Sequence, residues 1–142
     1  MADADPFAHF LTAQEDVFDA ALAELNAGRK RGHWMWFVFP QIAGLGSSEM
    51  ARRFALSGEA EARAFAKHPI LGDRLDQATE AMLDWAGTMS AEDILGPVDA
   101  LKFRSCMTLF ELACGDEDAQ VFSEALEQFY DGERDPLTLA KL

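Results

Sequence analysis

The sequence is poor in the residues that build strands, cross-links and membrane spans. β-Branched residues number only 4 Val, 3 Ile and 5 Thr, against 24 Ala and 16 Leu. That balance excludes a sheet-dominated fold, because Ala and Leu favour helix while β-branched side chains favour strands. There are two cysteines, Cys106 and Cys114. They fall eight positions apart in one expected helix, roughly 12 Å along its axis and beyond the reach of a disulfide. Buried free thiols and a cytoplasmic location are therefore expected. No run approaches the ~20 apolar residues needed to cross a bilayer. The opening Met1-Ala2-Asp3-Ala4-Asp5-Pro6 lacks the basic-then-apolar pattern of a signal peptide. Cations are also scarce: 12 Lys and Arg face 25 Asp and Glu, for a net charge of −13. A field of that sign opposes DNA, RNA and anionic lipid, so neither nucleic acid nor membrane is expected as a partner. The three histidines, His9, His33 and His68, are scattered, and no C-x-x-C or H-x-x-x-H spacing exists. No metal site and no cofactor are expected.

What is present suffices for a core. With 49% hydrophobic residues over 142 positions, the chain is long and apolar enough to fold as one domain spanning 1–142. The fold class expected is all-α: a compact single-domain bundle of about six to seven helices, with an aromatic-rich irregular or short extended segment after the first. Gly and Pro set the boundaries. Asp5 and Pro6 open a first helix whose Phe7, Phe10, Leu11, Phe18, Ala21, Leu22 and Leu25 share a face, and Gly28 closes it. Further helices are expected from Ser47 or Ser48, from Gly58 to His68-Pro69, from Ile70 to Ala86, and briefly after Ser90, where Asp93 completes a capping box. Asp99 to Cys114 and Ala119 to Tyr130 follow, and Asp135-Pro136 begins a last turn.

Three segments carry chemical interest. The first, His33-Trp34-Met35-Trp36-Phe37-Val38-Phe39-Pro40, shows neither alternation nor a 3.6-residue period, so it reads as a short buried strand or a buried helical turn. It is either a core plug or, through Trp34 and Trp36, a platform for a planar ligand. The second, Gln41 to Ser48, contains Gly44, Gly46, Ser47 and Ser48 ahead of a helix, where N–H groups can meet an anion. Arg52 and Arg53 follow in the early turns; either a bound anion or Glu49 offsets them. The third lies on a helix, where Arg104, Ser105, Thr108 and Glu111 cover an arc of about 120° beside Lys102. That stripe faces solvent or an internal cleft. Seven of the cations (Arg29, Lys30, Arg31, Arg52, Arg53, Lys102, Arg104) fall in or beside these segments. Converging, they would make a basic, aromatic hollow suited to a small anion with a flat group, such as a nucleotide or sugar phosphate.

The motifs His33-Trp34-Met35-Trp36-Phe37 with Phe39-Pro40-Gln41, Gly44-Leu45-Gly46 with Ser48, His68-Pro69 with Leu71-Gly72 and Arg74-Leu75, and Lys102 with Arg104-Ser105 and Met107-Thr108-Leu109-Phe110 resemble the bacterial domain-of-unknown-function family 1810. The resemblance runs from about Asp5 to Leu139. It implies a compact, mainly helical single domain with no established activity. Gly32 and Cys106 stand where that family often has serine, which argues against an essential nucleophile at either place.

Should the protein be an enzyme, His33, Glu49 and Ser48 are the candidate catalytic residues, as base, acid or base, and nucleophile. Two functions remain open. One is a small-molecule site formed by Trp34, Trp36, Gln41, Gly44, Gly46, Ser47, Arg52, Lys102, Arg104, Ser105 and Thr108. The other is a non-enzymatic partner-binding or structural protein whose aromatic motif is only core. They differ in whether Trp34 or Trp36, Ser48 and Arg104 share a solvent-connected cavity.

Overall fold

A computed structural model describes residues 5–115 and 118–142. Residues 1–4 of the acidic opening, where no signal-peptide pattern is expected, lie outside the described residues. Ten helices appear among the described residues: α1 Ala8–Glu15, α2 Phe18–Asn26, α3 Met35–Val38, α4 Glu49–Arg53, α5 Glu59–Lys67, α6 Leu71–Leu83, α7 Ala91–Leu95, α8 Pro97–Ala113, α9 Gln120–Tyr130 and α10 Pro136–Leu139. The six to seven expected are exceeded for three reasons. The single helix expected from Asp5 to Gly28 breaks at Asp16–Val17 into α1 and α2, the aromatic segment contains a helical turn, and Asp135-Pro136 does begin a last one.

The break has a physical cause. Phe7, Phe10 and Gln14, then Phe18, Ala21 and Leu25, are all buried, yet α1 packs on α3 whereas α2 packs on α6. One straight cylinder cannot serve both. Gln14 fixes the corner by donating to the Phe37 carbonyl at 2.7 Å while accepting from Arg74 at 3.2 Å.

The long α8 is the central element, contacting α5, α7, α9 and α10. Pro97 occupies its first turn, a position where a missing N–H costs nothing. Its Phe103, Cys106, Met107, Leu109, Phe110 and Ala113 are buried. Several aromatic rings of the core meet edge to face, as in Phe39–Phe103 at 4.9 Å and Phe10–Phe65 at 5.0 Å between centroids. Such pairs add about 0.5–1.5 kcal/mol beyond area burial. Ser90 and Asp93 form the expected capping box of α7. Cys106 is a buried free thiol; Cys114, also free, is only partly buried, at the end of α8.

A cleft beside the aromatic turn

The aromatic segment resolves as the helical turn α3, not as a strand. Its register turns Trp34, Met35, Phe37 and Val38 inward and leaves Trp36 partly exposed. From the facing α8, the Lys102 ammonium lies 5.0 Å from the Trp36 ring centroid and 3.6 Å from an Asp99 oxygen. The loop after α3 is anchored by a lone parallel bridge, Ile42 to Leu56, through Ala43 N–H to the Leu56 carbonyl (2.8 Å) and Leu56 N–H to the Gln41 carbonyl (2.9 Å). It then turns through Gly44 at φ +95°, a left-handed conformation that glycine adopts without strain. Ser48 ends the loop as N-cap of α4, its hydroxyl accepting from Ala51 N–H at 3.1 Å.

These parts enclose an open cleft of about 520 Å³. Trp36, Gln41, Leu45, Gly46, Ser47, Ser48 and Ala51 line one side. Val98, Leu101, Lys102 and Ser105 come from α8, and Asp135 and Leu137 come from the C-terminal segment. Of the sequence candidates, Trp36, Gln41, Gly46, Ser47, Ser48, Lys102 and Ser105 therefore share one space.

The other candidates lie outside its lining. Trp34 is 1% exposed and its indole N–H donates to Glu24 at 3.1 Å, so it is core and not a platform. Thr108 is fully buried, its hydroxyl donating to the Arg104 carbonyl at 2.8 Å and accepting Asp135 N–H at 2.9 Å. Gly44 packs against the Lys141 side chain instead. Arg52, His33 and Glu49 are exposed and are not among the lining residues. With the Ser48 hydroxyl engaged as a cap and His33 outside the lining, the trio proposed for catalysis is not assembled. Nor is the hollow strongly basic: Lys102 is its one cation among the described lining residues, because Lys30 pairs with Asp99 at 2.8 Å and lies over Trp34.

The polar stripe of α8 meets neither open solvent nor the cleft along most of its length. It holds the C-terminal segment. Arg104 donates to the carbonyls of Glu133 (2.8 Å) and Arg134 (3.0 Å), Thr108 receives Asp135, and Glu111 makes a two-pronged ion pair with Arg134. Burial pushes the Glu111 carboxyl up, but the Arg134 guanidinium and Ser123 hydroxyl outweigh it and hold the group below its usual range. Ser105 alone spans both roles, bonded to Asp135 at 2.9 Å and facing the cleft.

Sequence reading missed Leu45, Ala51, Val98, Leu101, Asp135 and Leu137. A usable signal existed for two of them. Val98 and Leu101 stand three apart on α8 and are 65% and 64% exposed; their place just after Gly96-Pro97 puts them ahead of the buried stretch. Asp135 carried a capping signature that said nothing of a cleft.

A larger hollow of about 690 Å³ lies between α5, α6 and the end of α8, lined by Arg63, Lys67, Asp76, Glu80, Cys114 and Asp118 among others. Burial, with the carboxylates of Asp118 and Asp76, lifts the Cys114 thiol to about 11, so it stays protonated and is a poor nucleophile. Gly115 and Asp118 on its rim flank residues 116–117, outside the described residues. The space at Trp36 is smaller but holds the aromatic face and convergent polar groups that a ligand site requires. Among the described residues no three His, Cys, Asp or Glu side chains are grouped to hold a metal ion, and no helix is long and apolar enough to cross a membrane.

These features define a compact helical domain with an open cleft at the junction of its aromatic turn, central helix and C-terminal segment. The chain belongs to the family described as Protein of unknown function (DUF1810), whose model matches residues 5–142. It is similar to a solved crystal structure described as the conserved hypothetical protein Rv1873 from Mycobacterium tuberculosis, with 46% sequence identity, a TM-score of 0.91, and coverage of 97% of this chain and 98% of that one. Among curated proteins none matches the chain.

Proposed function

We propose that the cleft is a binding site for a small molecule with a flat group and an anionic group. The reading rests on one observation: residues remote in sequence, at 36–48, 98–105 and 135–137, border one space with an accessible indole and an ammonium side by side. A planar group stacks on Trp36 where the lysine now lies, and Lys102 swings to the anion. Cation–π contact at an exposed site is worth only about 0.5–1 kcal/mol, so a charge-assisted bond to an anion readily replaces it. Gln41, Ser47 and Ser48 supply further polar contacts, and the aliphatic Val98, Leu101 and Leu137 cover the ligand's apolar edge. This reading makes the protein a binder and assigns it no reaction.

Thermal unfolding in the presence of nucleotides, ADP-ribose and sugar phosphates tests it. A ligand at 100 times its Kd stabilises the native state by about 2.7 kcal/mol, a rise of several degrees in midpoint. Lys102→Ala should weaken the binding at least tenfold, and Trp36→Leu should weaken nucleotides more than sugar phosphates. Absence of any shift at millimolar ligand would refute the reading.

A further inference from the structure

Resting on that reading, we propose that the ligand carries neighbouring sugar hydroxyls and that Asp135 is the acceptor that selects them. The carboxylate is split between two tasks. One oxygen, Oδ2, accepts from the Ser105 hydroxyl (2.9 Å), the Thr138 hydroxyl (2.6 Å) and the Thr138 N–H (3.1 Å). The Asp135 N–H is itself bonded to the buried Thr108 hydroxyl at 2.9 Å. Both the backbone and the rotamer of Asp135 are thereby fixed before any ligand arrives, which removes an ordering cost from binding. The other oxygen, Oδ1, accepts no hydrogen bond from the described residues, and Asp135 borders the cleft. No Lys or Arg among the described residues lies within ion-pair distance of it. It is a preorganised acceptor in want of a donor.

The charges of the cleft decide which donor. Lys102 and Asp135 line the same space. A bare phosphate gains from the lysine but is repelled by the carboxylate, and an ammonium compound meets the reverse. A molecule with its anion at one end and neutral donors at the other satisfies both. Vicinal hydroxyls of a pentose are such donors, and Oδ1, with two lone-pair sites and no donor among the described residues, can accept from both. Gln41, whose side chain makes no bond to the described residues, offers a further donor and acceptor on the opposite wall. The class that results is a ribosyl phosphate that carries a base to stack on Trp36, with the sugar phosphate alone as its minimal fragment.

Matched pairs test the assignment by calorimetry: AMP against 2′,3′-dideoxy-AMP, and ribose 5-phosphate against 2-deoxyribose 5-phosphate, with inorganic phosphate as a third probe. At least tenfold tighter binding of the hydroxyl-bearing member is expected, with phosphate weakest. Asp135→Asn should abolish the discrimination. The three donors hold the amide oxygen in the Oδ2 place, so the amide NH2 takes the place of Oδ1 and turns an acceptor into a donor. Asn caps a helix about as well as Asp, and the wild-type comparison decides the matter even if the variant does not fold. Equal affinity within each pair, or discrimination that survives Asp135→Asn, overturns the role of Asp135 and leaves the cleft a binding site. Failure of AMP, ribose 5-phosphate and the wider nucleotide and sugar-phosphate panel to bind overturns both.

Discussion

Glu24 shows how one side chain decides what a motif does. Its Oε1 accepts from Arg31 N–H (2.6 Å), Gly32 N–H (2.8 Å) and the Trp34 indole (3.1 Å). Burial pushes the carboxyl up, but those N–H groups, the indole and the nearby Lys30 outweigh it, leaving the group below its ordinary range. A hydrogen bond to a charged group contributes about 1.5–3 kcal/mol net of its exchange with water, and these three share one oxygen, so they do not add in full. Glu24→Ala should therefore cost roughly 2–3 kcal/mol in urea unfolding. Glu24→Gln, which keeps one oxygen acceptor, should cost less than half of that; equal losses would mean that the charge and not the acceptor geometry holds the turn. A sequence with two indoles in one segment demands a hydrogen-bond partner for whichever is buried, and Trp34 has one in Glu24. It did not say which indole goes inside, because that depends on the register of a single turn against α8.

At the scale of elements, the corner between α5 and α6 is fixed by close backbone approach. A Cβ added at Gly72 would lie 2.0 Å from the Ala66 carbonyl oxygen, so the two helices could not keep their separation. Gly72→Ala should destabilise by about 3 kcal/mol, read as a lowered urea midpoint with an unchanged slope; a loss under 1 kcal/mol would show that the corner can open. His68 completes this corner. Its Nδ1 accepts from Ile70 N–H (3.1 Å) and Leu71 N–H (3.2 Å), which leaves the Nε2 proton for Asp5 at 2.7 Å. From the sequence this residue read only as a helix end. Local punctuation was legible: the Ser48 cap, the Gly58 start, the Ser90–Asp93 box and the Asp135-Pro136 turn all stand in the structure. What sequence could not supply was partnership. The apolar stripe from Phe7 to Leu25 is continuous in spacing, and only the different neighbours of α1 and α2 break it. The α8 stripe of Arg104, Ser105, Thr108 and Glu111 was legible as one polar face, but its occupant is a segment 30 residues on, bound largely through backbone carbonyls that no side-chain pattern reports. For the same reason Trp36, Ser48 and Lys102 could be named from sequence while Asp135 could not.

For the whole molecule the dominant quantity is a net charge of −13 on 142 residues. Self-repulsion of that size works against the compact state, and Asp76 registers it locally: burial first, then the carboxylates of Glu80, Asp73 and Asp118, hold its carboxyl above the usual range. Such a group disfavours folding while ionised, so acidification through its raised pKa relieves a cost. Asp5, Glu24 and Glu111 behave oppositely. Asp5 is held low by Phe7 N–H and then by His68, and the other two by the donors named above. Each contributes stability that is present above the unfolded pKa and lost as pH falls through the lower folded value. The two trends cross. From pH 7 towards 5 the net charge shrinks in the direction of the isoelectric point near 4.4 and stability should rise. Below about 4, where carboxylates of the unfolded chain titrate, the unfolded state binds protons that the held-low groups do not yet take, and stability should fall. Urea midpoints measured at pH 7, 5 and 3.5 should therefore pass through a maximum at the middle value. Salt separates the causes. At about 0.5 M NaCl the Debye length is only a few ångströms, which screens long-range repulsion but reaches the paired Glu24 and Glu111 far less. Salt should raise the midpoint at pH 7 and raise it less at pH 5. A midpoint at pH 7 that does not respond to salt would mean that the surface carboxylates are spaced widely enough for repulsion not to govern stability.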